Sequence, residues 1–521
     1  MRPDLIAHCE QQPLRLANPG HGIEKEGLRV ATDGTLSLEP HPVALGSALT
    51  HPNITTDFCE AQLELITGVH GSVAACLEEL DRVQRFVYSA IEPELLWPTS
   101  MPCMLGADSD IPLGQYGTTN MARAKTIYRS GLGVRYGRLM QTISGLHYNF
   151  SVPDAFWDSL AAANPAEDPR ELRTRCYFDL IRNFRRQSWL LIYLFGASPA
   201  ICRTFLGDRE HTLERFDDGT LYLPEGTSLR MGPLGYQSDA QAALHVSYNS
   251  LGDYATTIVK ALTQPHPPYR EAGILRDGEY LQLNDSIIQI ENEFYGAIRP
   301  KQPIQPGERP LLALKRRGVA YVEVRCLDLN PFEPLGISAT DAHFIDTFLI
   351  NCLLEESPPD NRAESEANSA NQGLVVSAGR RSGLHLNRGG QQVALKEWAD
   401  ELLAQCARTA ALLDAANDTN AHSEAVAAQR PKLHDPEQTP SGRVLTAMRD
   451  AGVPFFRFAM NRALAMQQDY LARPLSGAAF AEAERMAAES LTRRRELEQA
   501  PQAPFDEFLK DYLALSEETL A

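Results

Sequence analysis

Residues 321–332 read Tyr-Val-Glu-Val-Arg-Cys-Leu-Asp-Leu-Asn-Pro-Phe. Tyr321, Glu323 and Arg325 alternate with Val322, Val324 and Cys326. Strand side chains repeat every two residues, so this segment has an apolar face and a face with a carboxylate beside a guanidinium. Asn330-Pro331 and Pro334 end it, because proline lacks the ladder donor. By itself such a strand is more often a solvent-facing surface with a weak ion pair. Its meaning depends on whether other strands carry similar groups on the same side.

Several do. Glu24 to Leu38 reads as two alternating runs about an Asp33-Gly34 hairpin signal, with Glu24 and Glu26 on one face. Ile54 to Thr67 reads as one strand in which Glu60, Gln62 and Glu64 oppose Cys59, Ala61, Leu63 and Leu65. Asp57 has the other parity and joins that face only if it precedes the strand or lies at a bulge. Ile143 to Val152 places His147, Asn149 and Ser151 opposite Tyr148, Phe150 and Val152. Tyr280 to Pro300 is expected to contain a further strand, with Gln289, Glu291 and Glu293 on one face, leading to Tyr295 and Arg299.

The chain has 521 residues, 43% hydrophobic and 22% charged, enough for one large domain with a satellite or for two or three average ones. Its formal charge of −18 argues against a nucleic-acid partner, although local arginines still allow an anionic substrate. Nine cysteines, an odd count with no C-x-x-C spacing, exclude a zinc ribbon and point to free thiols in a reducing cytosol. Residues 189–206 are the most apolar run, but Gly196, Pro199 and Arg203 interrupt it, so no membrane span is expected. A cytoplasmic enzyme acting as a monomer is the expectation.

Helical periodicity marks Ser72 to Ile91, residues 171–195, Thr340 to Glu355, and about 394–416, 442–450 and 478–499. Residues 357–373, Ser-Pro-Pro-Asp-Asn-Arg-Ala-Glu-Ser-Glu-Ala-Asn-Ser-Ala-Asn-Gln-Gly, have no apolar period and read as a polar loop. The expected organisation is a catalytic sheet-and-helix part over 1–356, that loop, and a mostly helical part over 374–521 packed on the sheet's apolar side. The fold class is α+β, with a curved, mainly antiparallel sheet.

Carboxylates repeated on one face of several strands would repel one another unless cations neutralise them. Carboxylate oxygens with one imidazole suit Mg²⁺ or Mn²⁺ rather than zinc, and such ions beside arginines are how a nucleoside triphosphate is handled. Gly-Lys never precedes Ser or Thr, so there is no P-loop, and Gly131 to Gly137 do not fit a dinucleotide motif. Any site for a nucleoside triphosphate would therefore be built from metal and carboxylates, and a metal-dependent phosphohydrolase could use the same acidic face.

The segments GIEKEGLRV, LGSALTHPNITTDFCEAQLELIT, QTISGLHYNFS, YLFGASPAI, SLRMGPLGY, IQIENEFYGAIRPK and GVAYVEVRCLDLNPF resemble the proteobacterial type of glutamate–cysteine ligase. The resemblance is dense from about residue 18 to 350. It implies a glutamine-synthetase-like sheet curved into a funnel, and ATP-dependent joining of the L-glutamate γ-carboxylate to the amine of L-cysteine through a γ-glutamyl phosphate. That is the first step of glutathione biosynthesis, with glutathione as a feedback inhibitor. The implied metal ligands are Glu24, Glu26, Asp57, Glu64, His147 and Glu323. Arg325 would face the phosphates, and Arg230 and Arg129 would hold substrate carboxylates. Phe58, Tyr128, Leu132, Gln141, Tyr236 and Tyr295 resemble the lining of a cysteine pocket. The chain departs from the family at Lys25, Gly27 and Cys326, where Arg, Thr and Ser are familiar. Cys326 is read as core, on the face away from Glu323.

Overall fold

The computed structural model describes residues 2–207, 209–235, 239–242, 244–305 and 307–515. Its centre is a seven-stranded sheet. The strands are β1 (Gly20–Val30), β2 (Ile54–Thr56), β3 (Gln62–Ile66), β4 (Leu95–Leu96), β5 (Leu146–Ser151), β6 (Ile298–Lys301) and β7 (Tyr321–Leu327). Their order is β6-β7-β5-β1-β3-β2, with β4 added on β1, and every pairing is antiparallel.

The register aligns the polar groups. Glu24 lies opposite His147, Glu26 opposite Glu64, and Glu323 between Asn149 and Arg299. The other face carries Ile23, Leu63, Leu65, Tyr148, Phe150, Val322 and Val324, all buried in the main core. β7 contains a bulge. Val324 pairs with Tyr148 but Leu327 with Leu146, three residues against two. The extra residue resets the alternation, so Cys326 and Leu327 are both buried although they are neighbours.

Helices cover that apolar face. In chain order come α1 (Val73–Ile91), α2 (Asn120–Tyr136), which stands apart from that layer, α3 (Pro169–Gln187), α4 (Trp189–Phe195) and α5 (Ala339–Leu354). They are followed by α6 (Arg362–Ala378), α7 (Leu395–Asn417) and α8 (Ala421–His434). α5 packs against α1, α3, α7 and α8, placing Phe344, Ile345, Phe348 and Leu349 in the core. The helices at Phe455–Ala472 and Gly477–Gln499 pack on α1. α2 does not join this layer: its Arg129 hydrogen-bonds the carbonyls at the end of β2. Among the described residues no helix is long and apolar enough to cross a membrane.

Four expectations are corrected. Ile54 to Thr67 is not one strand but a hairpin, β2 and β3 joined by a turn. Residues 289–293 form no strand: Glu291–Glu293 is a short 3-10 helix, and the strand lies further on, at β6. Residues 357–373 are not a loop throughout, since α6 begins at Arg362. Asn361 caps α6 by accepting the Glu364 N–H at 3.0 Å. Only Asn371, Val375, Val376 and Ala378 of this helix are buried, so its first turns lack an apolar stripe. Finally, Cys103 and Cys202 are disulfide-bonded, and only the other seven cysteines are free thiols, all buried.

Gly27 differs from the other strand residues. A Cβ built there would meet nothing within 4 Å, and its φ is an ordinary one. It pairs with Leu63, on the face opposite Glu26. Gly27→Ala is therefore expected to stabilise the chain by about 0.5–1 kcal/mol, mainly by restricting the unfolded state. A raised urea midpoint with unchanged activity is the expected result; an unchanged or lowered midpoint contradicts it.

Candidate active site

The polar face gathers its groups from five strands and one turn. Glu24 accepts from Asn149 Nδ2 at 3.0 Å, and its other oxygen lies 3.2 Å from His147 Nδ1. Glu26 accepts the Gly145 N–H at 2.6 Å and lies 3.5 Å from His147 Nε2. Glu323 lies 3.2 Å from Arg325 Nη1, 3.4 Å from Lys301 Nζ and 3.8 Å from His147 Nδ1. Asp57 reaches the face because it precedes β3: its N–H donates to Gln62 O at 3.0 Å across the hairpin mouth.

Two groups of three donors result. In each of Glu24–Glu64–His147 and Glu26–Asp57–Glu64, the donor atoms lie within 4.8 Å of one another, and Glu64 belongs to both. Glu60, expected on this face, is turned away: its carboxylate accepts the N–H groups of His41 and Gln115 at 2.7 and 2.5 Å. The hairpin turn resets the parity that alternation alone would assign.

Electrostatics divide the carboxylates into two kinds. Burial opposes charge on Glu323, but Lys301, Arg325 and Arg299 outweigh it and hold the carboxyl well below its usual range. Burial also opposes charge on Glu24, as does Glu323, yet the His147 hydrogen bond and Lys301 leave it lowered. Burial and the Asp57 charge raise Glu26 to about 8. Burial, with Glu24, Asp57 and Glu26 alongside, raises Glu64 well above the usual range. His147 is pushed down by burial and then by Arg325, which keeps its imidazole neutral.

The face therefore has cations at the β7 end and too few at the β3 end. Glu323 Oε2, His147 Nε2 and Asn149 Oδ1 are also buried without a hydrogen-bond partner. Buried acceptors in that condition call for a cation. Carboxylate oxygens and a neutral imidazole fit Mg²⁺ or Mn²⁺.

A pH dependence follows. The Glu26 carboxyl, raised from 4.5 to about 8, keeps its proton in the folded chain over a range where the unfolded chain has lost it. The metal-free chain should thus lose stability as pH rises through that window. A metal competes with the proton for the same oxygens. Mg²⁺ is expected to raise the melting midpoint more above pH 8 than near pH 6, as thermal melts with chelator or Mg²⁺ would show. An equal shift at both would contradict the grouping.

The other expected residues fall near this face. Arg230 is 1% exposed and donates from Nη2 to Arg325 O at 2.9 Å. A Cβ at 145 would lie 2.0 Å from Arg230 Nη2, so any side chain there would displace the guanidinium. Arg129 donates to the carbonyls of Asp57 and Thr56, which hold the hairpin end, and lies over the Tyr116 ring at 4.5 Å. Phe58, Leu132 and Tyr128 pack in one apolar cluster. Gln141 Nε2 donates to Tyr295 OH at 3.3 Å. Tyr236 lies outside the described residues.

Sequence reasoning did not assign roles to Arg299, Lys301 or Gly145. The first two alternate about Pro300 in β6, and that period was the available signal. No comparable signal marks Gly145, whose need comes from a residue 85 positions away. Beside the sheet a cavity of about 470 Å³ is lined by Arg230, Tyr295, Arg325, Gln241 and, from α6, Arg362 and Gln372.

An open antiparallel sheet with a carboxylate-rich face, flanked by guanidiniums and a cavity, belongs to the class of enzymes that handle anionic substrates with cations. The model of the glutamate–cysteine ligase family matches residues 6–375. The chain belongs to the glutamate–cysteine ligase family. It is 50% identical to the glutamate–cysteine ligase of Alcanivorax borkumensis, over 95% of this chain and 96% of that one. It is also 50% identical to that of Pseudomonas aeruginosa strain UCBPP-PA14, over 95% and 94%. Among solved structures, the glutamate–cysteine ligase of Francisella tularensis in complex with AMP matches with a TM-score of 0.90 and 35% identity, covering 95% of this chain and 98% of that one. A bifunctional glutathione synthetase from Pasteurella multocida matches with a TM-score of 0.73 and 25% identity, over 92% of this chain and 58% of that one.

Proposed function

We propose that this chain joins the γ-carboxylate of L-glutamate to the amino group of L-cysteine at the expense of ATP, and that the polar face of β1, β3, β5, β6 and β7 is where it does so. The observation that carries the assignment of the site is the pair of donor groups sharing Glu64, next to Arg325 and the cavity. Glu24, Glu64 and His147 would hold one divalent cation and Glu26, Asp57 and Glu64 another, with Glu323 beside the first. Bound there, Mg²⁺ or Mn²⁺ supplies positive charge for phosphate oxygens.

The chain's own groups account for the rest. Arg325, 16% exposed and held by Glu323, presents a guanidinium to the charge that develops as the γ-phosphoryl group passes to the glutamate carboxylate. The product is an acyl phosphate with ADP released. The cysteine amine then attacks the acyl carbon, phosphate leaves, and a site carboxylate accepts the amine proton. Arg230 and Arg129 are assigned to the amino-acid carboxylates. Phe58, Leu132 and Tyr128, with Gln141 and Tyr295, are assigned to the incoming cysteine. The apolar cluster among them excludes water, against which an acyl phosphate must be protected. Feedback inhibition by glutathione and action as a monomer belong to the same reading.

Phosphate release from ATP, measured with each amino acid present or absent, tests this. Release that requires both glutamate and cysteine is expected. Release with neither would mean a phosphohydrolase, and release with glutamate and a different amine would mean a related ligase.

A further inference from the structure

Behind the sheet, away from the carboxylate face, lies a second group of metal-capable side chains. His343 and Asp346 are three residues apart on α5, so they share one side of that helix. His422 stands in the first turn of α8. The donor atoms of the three lie within 4.8 Å of one another. The His343 and His422 rings meet edge to face with centroids 4.8 Å apart.

The surroundings orient these donors. Asp414, near the end of α7, accepts from His422 Nδ1 at 3.0 Å and also from the His422 and Ser423 N–H groups, each at 3.0 Å. That bond places the proton on Nδ1 and leaves the Nε2 lone pair as the available donor, the arrangement that readies a histidine for a metal. Asp346 is 1% exposed. One of its oxygens accepts from Tyr148 OH at 2.7 Å and the other from His21 Nε2 at 2.9 Å, and each retains a lone pair. His21 has no nitrogen left to ligate, because its Nδ1 contacts His70 O at 3.2 Å. His343 Nδ1 is buried with no hydrogen-bond partner. A plain hydrogen-bonded cluster would have satisfied it.

We propose that His343, Asp346 and His422 form a Zn²⁺ site on the apolar side of the sheet, separate from the carboxylate face. Two imidazoles and one carboxylate suit this borderline ion, as the oxygen-rich opposite face suits a hard one. His343 is only partly buried, which leaves a path for the ion and a fourth position for water. The ion would tie α5 to α8. Through Asp346 it would also reach His21 and Tyr148, on the strands that present Glu24 and His147 from their other side.

The test uses the full chain, stripped with chelator and held in millimolar Mg²⁺ to occupy the carboxylate face. Zn²⁺ is added, the protein is desalted, and retained zinc is measured. Co²⁺ serves as a second probe through its visible absorption. The parent chain is expected to retain a single equivalent of zinc that His343→Ala and His422→Ala both lose. Zinc should also raise the melting midpoint of the parent but not of those variants. Asp414→Asn is expected to weaken binding roughly 10–100-fold. If His422→Ala does not fold, His343→Ala, whose Nδ1 makes no hydrogen bond, carries the result. No zinc retained by the parent, or equal retention by the parent and His343→Ala, overturns the site.

Discussion

Glu323→Gln is expected to fold and to lose turnover by a factor on the order of 10²–10³. The carboxylate is 1% exposed and lies among Arg325, Lys301, Arg299 and His147. Glutamine keeps the volume and one acceptor oxygen but removes the charge. Three cations then face one another with less to hold them, and Arg325 loses the partner that aims it. The fold survives because the apolar face of β7, Val322 and Val324, is untouched. Circular dichroism and steady-state kinetics together check this. Parental turnover in a folded variant would remove Glu323 from the site.

Glu293→Ala is expected to act on stability instead, at about 3–5 kcal/mol. The Arg135–Glu293 pair is fully buried, with 0% exposure of both side chains and 2.9 Å between them. Tyr136 OH and the Gln289 N–H also donate to Glu293, each at 2.7 Å. Truncation leaves Arg135 charged, buried and without its counter-ion, although Gln282 and the Asn284 carbonyl still accept from it. Breaking such a pair costs far more than replacing both members by apolar residues. The double variant Arg135→Met with Glu293→Leu should therefore recover much of the loss. Urea unfolding of the single and double variants decides; a loss below about 1 kcal/mol for Glu293→Ala would show the charge to be otherwise compensated.

These two glutamates also show where sequence reading succeeds and fails. Glu323 was legible because β7 alternates up to its bulge, and alternation is a local property. Glu24, Glu26 and His147 were legible for the same reason. Glu293 reads as a strand residue because Gln289, Glu291 and Glu293 alternate too. It sits in a short 3-10 helix, and its partner lies 158 residues away. Glu60 failed through a turn that resets parity, and the start of α6 failed because only its far end is buried. The Cys103–Cys202 bond spans 99 residues, and nothing in the spacing of nine cysteines marks that pair.

Period-two alternation in separate segments, with no P-loop and a negative charge overall, determined from sequence alone that several strands offer carboxylates on one side and core on the other. The motifs added the family. Only the tertiary structure decided which carboxylates meet. Register brings Glu26 opposite Glu64, the hairpin turn brings Asp57 in and turns Glu60 away, and packing between α5 and α8 brings His343 and Asp346 to His422. Such neighbours are set by pairing and packing across long chain separations, which leave no period in the sequence to read.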